Sequence, residues 1–393
     1  MPGPLHGYRI IDLTQMISGP VATMLLGDQG ADVIKIEPPG TGDFVRRYGG
    51  RRAGLPPMFA TTNRNKRSIV LNLKDERGLE ILKSLVQQAD VFVQNFRPGT
   101  AERMGIGEAA MRATRPNLIY VSISGFGEVG PYAQQPAYDP VIQALSGLAA
   151  IQSDASGRPR LIRTIVPDKL TGLTAAQAIT AALLARERTG EGQHVRLAML
   201  DATVSFLWPE AMARYTWVGM DDDALRPART RDLIFETADG YITCGVMSDT
   251  EWAGLTRALE RPEWRDDSRF ASVARRERFA DERLNLTAEV LRTRTSREWL
   301  ERLRAEGVPC APVLSREDLL ADPQIAANQL IVSSEHPHAG PMLQTRPAAR
   351  FDRTPAGIRR PAPLLGEHTD EVLGEIGLSA VRIRELRAAG VVE

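Results

Sequence analysis

An α/β protein is predicted by three features of the chain. Apolar strand-like runs alternate with helical stretches over the first 200 residues, polar glycine-bearing loops follow those runs, and the texture changes beyond Leu200. Alternation of this kind argues for a parallel sheet covered by helices on both faces. The first run, Tyr8 to Asp12, reads as a strand opening into Leu13-Thr14-Gln15-Met16-Ile17-Ser18-Gly19-Pro20. Ser18 is placed as a helix cap with Pro20 in the first turn, and the helix runs from about Val21 to Gln29 before Gly30 stops it. Val33 to Glu37 is the next strand, ended by Pro38-Pro39-Gly40. The unit has the connection length that parallel strands require.

The pattern then repeats. Ser68 to Leu73 reads as a strand and Asp75 to Gln88 as a helix. Val91 to Val93 is a strand running into Gln94-Asn95-Phe96-Arg97-Pro98-Gly99, and Leu118 to Ser122 one that opens into Ser124-Gly125-Phe126-Gly127. An Ala-rich helix is expected from Leu170 to Arg188, closed by Thr189-Gly190, since Ala is the strongest helix former. His194 to Met199 alternates as a strand does. The expectation is a Rossmann-like sheet with ligands bound where the chain leaves the carboxyl ends of the strands.

Beyond Leu200, a turn-rich basic connection at Leu225–Thr230 precedes a hairpin, Asp232–Glu236 and Tyr241–Cys244 across Asp239-Gly240. Charged helical stretches follow at Trp252–Glu260 and Arg278–Leu303, then another short helix after Val313 and Pro/Arg-rich turns at 337–363. The large domain is accordingly placed at 1–205 and 330–393, a small α+β domain at 225–320, and linkers at 206–224 and 321–329.

Composition excludes several classes of function. Lys+Arg and Asp+Glu both number 49, so no basic excess points to nucleic acid. No apolar run reaches the ~18 residues of a membrane span, and no basic segment with an apolar run opens the chain, so the expected location is cytoplasmic. Cys244 and Cys310 lack metal or redox spacing. His6, His194, His336, His338 and His368 form no HExxH, so no metal is expected. DLTQMISGP lacks the glycines of a dinucleotide loop, and neither GxxxxGK[ST] nor GxSxG occurs.

Two clusters carry chemistry. Asp168, at the entrance of the Ala-rich helix, reads first as an N-cap; a carboxylate nucleophile is compatible with that, and helix-terminal N–H groups suit an anion in both roles. Asn63-Arg64-Asn65-Lys66-Arg67-Ser68, together with Asn95-Phe96-Arg97 and Arg103-Met104, reads either as a phosphate cradle or as a solvated surface.

Gly19-Pro20, GADVIKIEPPGTGD (Gly30 to Asp43), NRNKRSIVLNL (Asn63 to Leu73), NFRPGTAERMG (Asn95 to Gly105), SISGFGEVGPY (Ser122 to Tyr132), YDPVIQALSG (Tyr138 to Gly147) and PDKLTGLTAAQAI (Pro167 to Ile179) stand in order along the chain. As a set they resemble the family III CoA-transferases, the group that includes formyl-CoA transferase, carnitine CoA-transferase and alpha-methylacyl-CoA racemase. The resemblance implies Asp168 as catalytic group and Lys66, Asn95, Phe96, Arg97, Arg103 and Met104 as CoA-binding positions. It further implies acyl-CoA and carboxylic acid substrates with no tightly bound cofactor, and a homodimer of ring-like subunits threaded through each other. CoA would pass through mixed anhydrides and an aspartyl-CoA thioester on Asp168. Rival readings are a racemase-like proton transfer and noncatalytic acyl-CoA binding.

Two departures narrow that reading. The racemase branch has a histidine where Tyr138 precedes Asp139, and a phenol with an ordinary pKa near ~10 is a poor base at neutral pH. Oxalate-using members have glutamine at Ile17 and a glycine-rich segment not visible near Gly240–Gly245; Gln15 lies two positions earlier. Oxalate as acceptor is therefore disfavoured. Arg46 and Arg47 are candidates for the second carboxylate of a dicarboxylic substrate such as succinate.

Overall fold

The computed structural model describes residues 2–154, 156–219 and 232–393, and the connection expected at Leu225–Thr230 lies outside the described residues. Two compact units form, one from Met1–Met212 with Leu330–Glu393 and one from Ala213–Gln329. In the first unit six strands make a sheet: β1 (Arg9–Asp12), β2 (Asp32–Glu37), β3 (Lys66–Val70), β4 (Val91–Gln94), β5 (Ile119–Ser124) and β6 (His194–Ala198). Their order is β3-β2-β1-β4-β5-β6 and every pairing is parallel. The chain therefore adds strands to one side of β1 and then, from β4, to the other, and the crevice between β1 and β4 is where open sheets of this kind bind ligands.

Side chains alternate between two cores, as the period of a strand dictates. Ile11, Ile34, Ile69, Phe92 and Tyr120 face the helix Glu76–Gln87 and the C-terminal residues Val372, Leu373, Ile383 and Leu386. Ile10, Val33, Val91, Val93, Ile119 and Val121 face the first helix, Ser18–Asp28, and the long helix, Val166–Thr189. The long helix has Pro167 in its first turn and ends at Gly190, which takes the left-handed conformation (φ 76°) that a residue with Cβ resists. Where the two helices cross, Gly172 lies so close that a Cβ there would stand 2.8 Å from the Ser18 carbonyl oxygen.

Several boundaries differ from the sequence reading. Ser18 is inside the first helix rather than its cap; Ile17 holds the cap position, with no side-chain bond. Strand β3 begins at Lys66, two residues before Ser68, which turns both cations into the sheet. The helix Met199–Ala211 runs into the stretch expected to be a linker. A hairpin of β10 (Ile331–His336) and β11 (Gly340–Thr345) occupies part of the region read as turns.

The second unit carries an antiparallel sheet of β7 (Ile234–Glu236), β8 (Tyr241–Cys244) and β9 (Cys310–Pro312). Thr237 N–H donates to the Gly240 carbonyl at 2.9 Å and closes the Asp239-Gly240 turn. Trp252, Trp264, Phe270 and Trp299 fill its core. The expected helical stretch Arg278–Leu303 is split into Ala280–Leu291 and Ser296–Ala305, because Thr295 and Glu298 form a capping box that starts a new helix. Among the described residues no helix is long and apolar enough to cross a membrane.

Candidate active site

The loops after β1 and β4 meet at the crevice. Asn95 clamps Gln15 from both sides: Gln15 N–H donates to Asn95 Oδ1 at 2.9 Å, and Asn95 Nδ2 donates to the Gln15 carbonyl at 2.8 Å. Lys35, fully buried, donates to the Thr14 carbonyl at 2.7 Å and pairs with Asp43 at 2.9 Å. Asp43 Oδ1 in turn accepts from the Met16 and Val45 N–H groups, both at 3.1 Å. Three consecutive backbone units are thus held by side chains from three other segments. They hold Met16 at φ 67°, a left-handed conformation that costs on the order of 1 kcal/mol outside glycine.

Beneath the loop lies a buried ionic cluster. Lys66 Nζ donates to Asp12 at 3.0 Å, to the Pro20 carbonyl at 3.0 Å and to Asn63 Oδ1 at 2.9 Å. Burial works against the Asp12 carboxylate, but Lys66, Lys35 and the hydroxyls of Thr14 and Thr23 outweigh it and hold Asp12 down to about 2. Burial pulls Lys66 down to about 8 in spite of Asp12. Both partners shift downward: burial dominates for Lys66, with Lys35 adding to it, whereas the neighbouring ammonium groups and hydroxyls dominate for Asp12.

This arrangement bears on two expectations. The Asn63–Ser68 segment is not a surface: Lys66 is 0% exposed, Arg64 pairs with Asp28, and Arg67 pairs with Asp32 and Glu375. The three donors of Lys66 are committed inside the core. Arg46 is likewise held, bidentate to Glu37 at 2.7 Å and stacked 3.7 Å over Phe59, and has no free edge for a substrate carboxylate. Arg47 stays exposed beside Phe44. Asp12, Lys35, Glu37 and Asp43 had a sequence signal that went unused: charged residues within or just beyond otherwise apolar strands.

Asp168 occupies the third position of the long helix rather than its cap, which is Ile165. Ile165, Met16 and Val21 pack against one apolar cluster that contains Ile17, and Gly172 lies against Ser18 and Val21, so the start of the long helix stands next to the clamped loop. Asp168 N–H donates to Asp139 Oδ2 at 3.2 Å. Asp139 is fixed by Gln143, whose Nε2 donates to it at 2.6 Å and whose Oε1 accepts the Ile162 N–H at 2.9 Å. Half-burial, reinforced by the Asp139 charge, pushes the Asp168 carboxyl up to about 6. Tyr138, by contrast, points outward and is 60% exposed.

On the other side of the Asn95 loop a cleft of about 1000 Å³ is lined by Phe96, Arg97, Gly99, Ser124 and Arg196. Phe96 and Met104 rest against the core, while Arg97 and Arg103 are exposed, Arg103 donating to Thr100 Oγ1 at 2.9 Å. A hydrogen-bonded run missed in the sequence forms one wall: Gln94 Oε1 accepts the Phe96 N–H at 2.7 Å, Gln94 Nε2 donates to Ser122 Oγ at 3.1 Å, and Ser122 Oγ meets His194 Nε2 at 2.7 Å. Polar residues near the carboxyl ends of two apolar strands were its signal. Among the described residues no cluster of His, Cys, Asp and Glu stands in position to hold a metal.

Comparison with known proteins places the chain in a family. The sequence pattern of CoA-transferase family III matches residues 5–369. The chain is 36% identical to the human succinyl-CoA:glutarate CoA-transferase, over 99% of this chain and 90% of that one. It is 35% identical to the formyl-CoA:oxalate CoA-transferase of Streptomyces avermitilis, over the full length of both. A crystal structure of a CaiB/BaiF family protein from Brucella suis superposes with a TM-score of 0.82 at 30% identity, covering 96% of this chain and 100% of that one.

Proposed function

Because the chain belongs to CoA-transferase family III and is an acyl-CoA:carboxylate CoA-transferase, we propose that it carries CoA between two acids on the Asp168 carboxylate. The observation that carries this reading is the state of Asp168: half-buried, raised to about 6, and next to the clamped loop at the crevice. A desolvated carboxylate is a better nucleophile than one in water, and it needs no separate base.

Asp168 attacks the thioester carbonyl of the donor, giving a mixed anhydride and CoA thiolate. The thiolate attacks the aspartyl carbonyl, which leaves a CoA thioester on Asp168 and frees the donor acid. The acceptor carboxylate then attacks that thioester, and the released thiolate takes the acceptor acyl group from the second anhydride. Each anhydride is lost if water enters, so the apolar neighbours Ile17, Met16 and Ile165 suit the site. The Gln15 and Met16 N–H groups are committed to Asn95 and Asp43, which leaves the start of the first helix, at Ser18 and Gly19, to face a developing oxyanion.

The nucleotide portion of CoA lies in the cleft beside Phe96 and Arg97, with Arg103 and Met104 at its edge. The acceptor is a dicarboxylate, as the glutarate and oxalate in the relatives' names suggest, and Arg47 takes the contact from which Arg46 is withheld. The enzyme is cytoplasmic, where the free thiols of Cys244 and Cys310 fit a reducing compartment. The subunits form the interlocked homodimer that the family resemblance implies. Exposed apolar side chains on adjoining helices, Leu173 (56%), Leu184 (54%) and Phe206 (61%), offer it a surface.

Intact-mass spectrometry after incubation with a panel of acyl-CoAs tests the proposal. A CoA-sized adduct on the peptide containing Asp168, removed by hydroxylamine, is expected. Asp168→Ala should abolish that adduct and lower turnover by roughly a thousandfold or more while the fold is kept. A loss of only twofold would overturn the assignment.

A further inference from the structure

The two cysteines of the second unit are 66 positions apart in sequence yet directly opposed in the sheet: Cys244 of β8 is the register partner of Cys310 of β9. The kind of pair they make follows from the flanking hydrogen bonds. Val313 N–H donates to the Tyr241 carbonyl at 3.1 Å, and Gly245 N–H donates to the Pro309 carbonyl at 3.3 Å. Tyr241 and Gly245 thus sit in hydrogen-bonded pairs, and since these alternate along an antiparallel ladder, Cys244 opposite Cys310 is a non-hydrogen-bonded pair. Such pairs bring the Cα atoms to about 4.5 Å, inside the roughly 4.4–6.8 Å span of a disulfide.

Register partners project from the same face of a sheet, and both cysteines meet the core of this unit, Cys244 within it and Cys310 at its margin. Both also line a cavity of about 600 Å³ with Val246, Met247, Pro309 and Ala311, a size that admits a small-molecule reagent.

We propose that Cys244 and Cys310 are a reversible dithiol–disulfide pair, oxidised across the strands by a low-molecular-weight disulfide that enters this cavity. Cys310 acts first, because it is the more accessible thiol; burial raises both groups and pushes Cys244 up to about 12. The Cys310 thiol gives up its proton and its sulfur attacks one sulfur of the reagent; the S–S bond of the reagent breaks and one small thiol leaves with that proton. The Cys244 sulfur then attacks Cys310 in the mixed disulfide, its proton departing with the second small thiol. The protein loses two electrons and two protons, and the reagent gains both as two thiols. The product ties the edge strand β9 to β8 and closes the segment from Gly245 to Pro309 into a loop.

The full chain is equilibrated with glutathione and glutathione disulfide at stepped ratios, quenched with N-ethylmaleimide under denaturing conditions and mapped by mass spectrometry. Oxidising ratios should convert the doubly alkylated protein to a form lacking both labels, with the Cys244 and Cys310 peptides joined, and excess dithiothreitol should reverse it. The conversion should speed up as pH rises, and the oxidised form should unfold at a higher temperature. Cys244→Ser should stop at a stable glutathione adduct on Cys310, and Cys310→Ser should leave Cys244 fully alkylatable. The idea fails if wild type halts at the mixed disulfide, if both cysteines remain alkylatable at the most oxidising ratio, or if the link joins two chains. Mapping of the wild type decides this even where a variant does not fold.

Discussion

At the scale of single residues, the acidity of Asp168 is the property most open to measurement. Its carboxyl is pushed up to about 6 by burial first and by Asp139 second. Only the ionised form attacks a thioester, so turnover should rise with pH through a limb near 6 and level off above 7. Asp139→Asn removes the charge but keeps an oxygen for the Asp168 N–H, so the limb should move to lower pH in a profile of kcat/KM. A limb that stays in place would assign the shift to burial alone. The same shift carries a stability consequence. A carboxyl raised in the folded state binds its proton more tightly there than in the unfolded chain, so its contribution favours folding below about pH 4 and is lost as pH rises through 6. Asp168→Asn should therefore stabilise the inactive protein at pH 7 by on the order of 1–2 kcal/mol, seen in urea denaturation.

At the scale of elements, the proposed mechanism depends on how the first loop is held. Asn95 makes two hydrogen bonds to one backbone unit, so Asn95→Ala should free the Gln15–Ile17 segment, and Met16 should relax from its left-handed conformation. The expected effect is a ten- to hundredfold loss of kcat, from roughly 1–3 kcal/mol of lost interaction. Direct CoA binding, followed by calorimetry, should change little; an equal loss of CoA affinity would instead make Asn95 a ligand contact. In the second turn of the long helix, Gly172→Ala should cost about 1–3 kcal/mol in thermal or urea unfolding, because the new Cβ meets the Ser18 carbonyl and Val21. Strands β1, β2, β4 and β5 were legible as apolar runs closed by Pro, Gly or polar loops, and the Asp139 and Asp168 segments were legible from the resemblance. The start of β3 was not. Lys66 and Arg67 read as a phosphate cradle or a solvated surface because their partners Asp12, Asp32 and Glu375 lie 54, 35 and 308 residues away, beyond any local window. The pairing of Arg46 was hidden for a different reason. Its partner Glu37 is nine residues distant, but a sequence does not say which of two neighbouring arginines turns inward.

At the scale of the whole molecule, the C-terminal stretch returns to the first unit: Val372, Leu373, Ile383, Leu386 and Val391 join the core beneath the sheet, and His368 N–H donates to the Ser68 carbonyl at 2.9 Å. The chain thus leaves the first unit after Met212 and re-enters it at Leu330, with Ala213–Gln329 between. The interlocked homodimer proposed above would have a kinetic signature that an ordinary interface lacks. Subunits that merely touch exchange at their dissociation rate and separate on dilution. Linked subunits cannot part until one chain opens, so exchange is limited by unfolding, with its steep temperature dependence. Mixing two dimers that differ in tag mass and following them by native mass spectrometry should therefore show no mixed dimer over days at 25 °C. Mixed dimers should appear only as denaturant reaches the unfolding transition. Phe206→Asp, which places a charge on the exposed apolar face, should lower stability without releasing folded monomer. Mixed dimers within hours in native buffer, or a folded monomer at nanomolar concentration, would show that the two chains are side by side rather than linked.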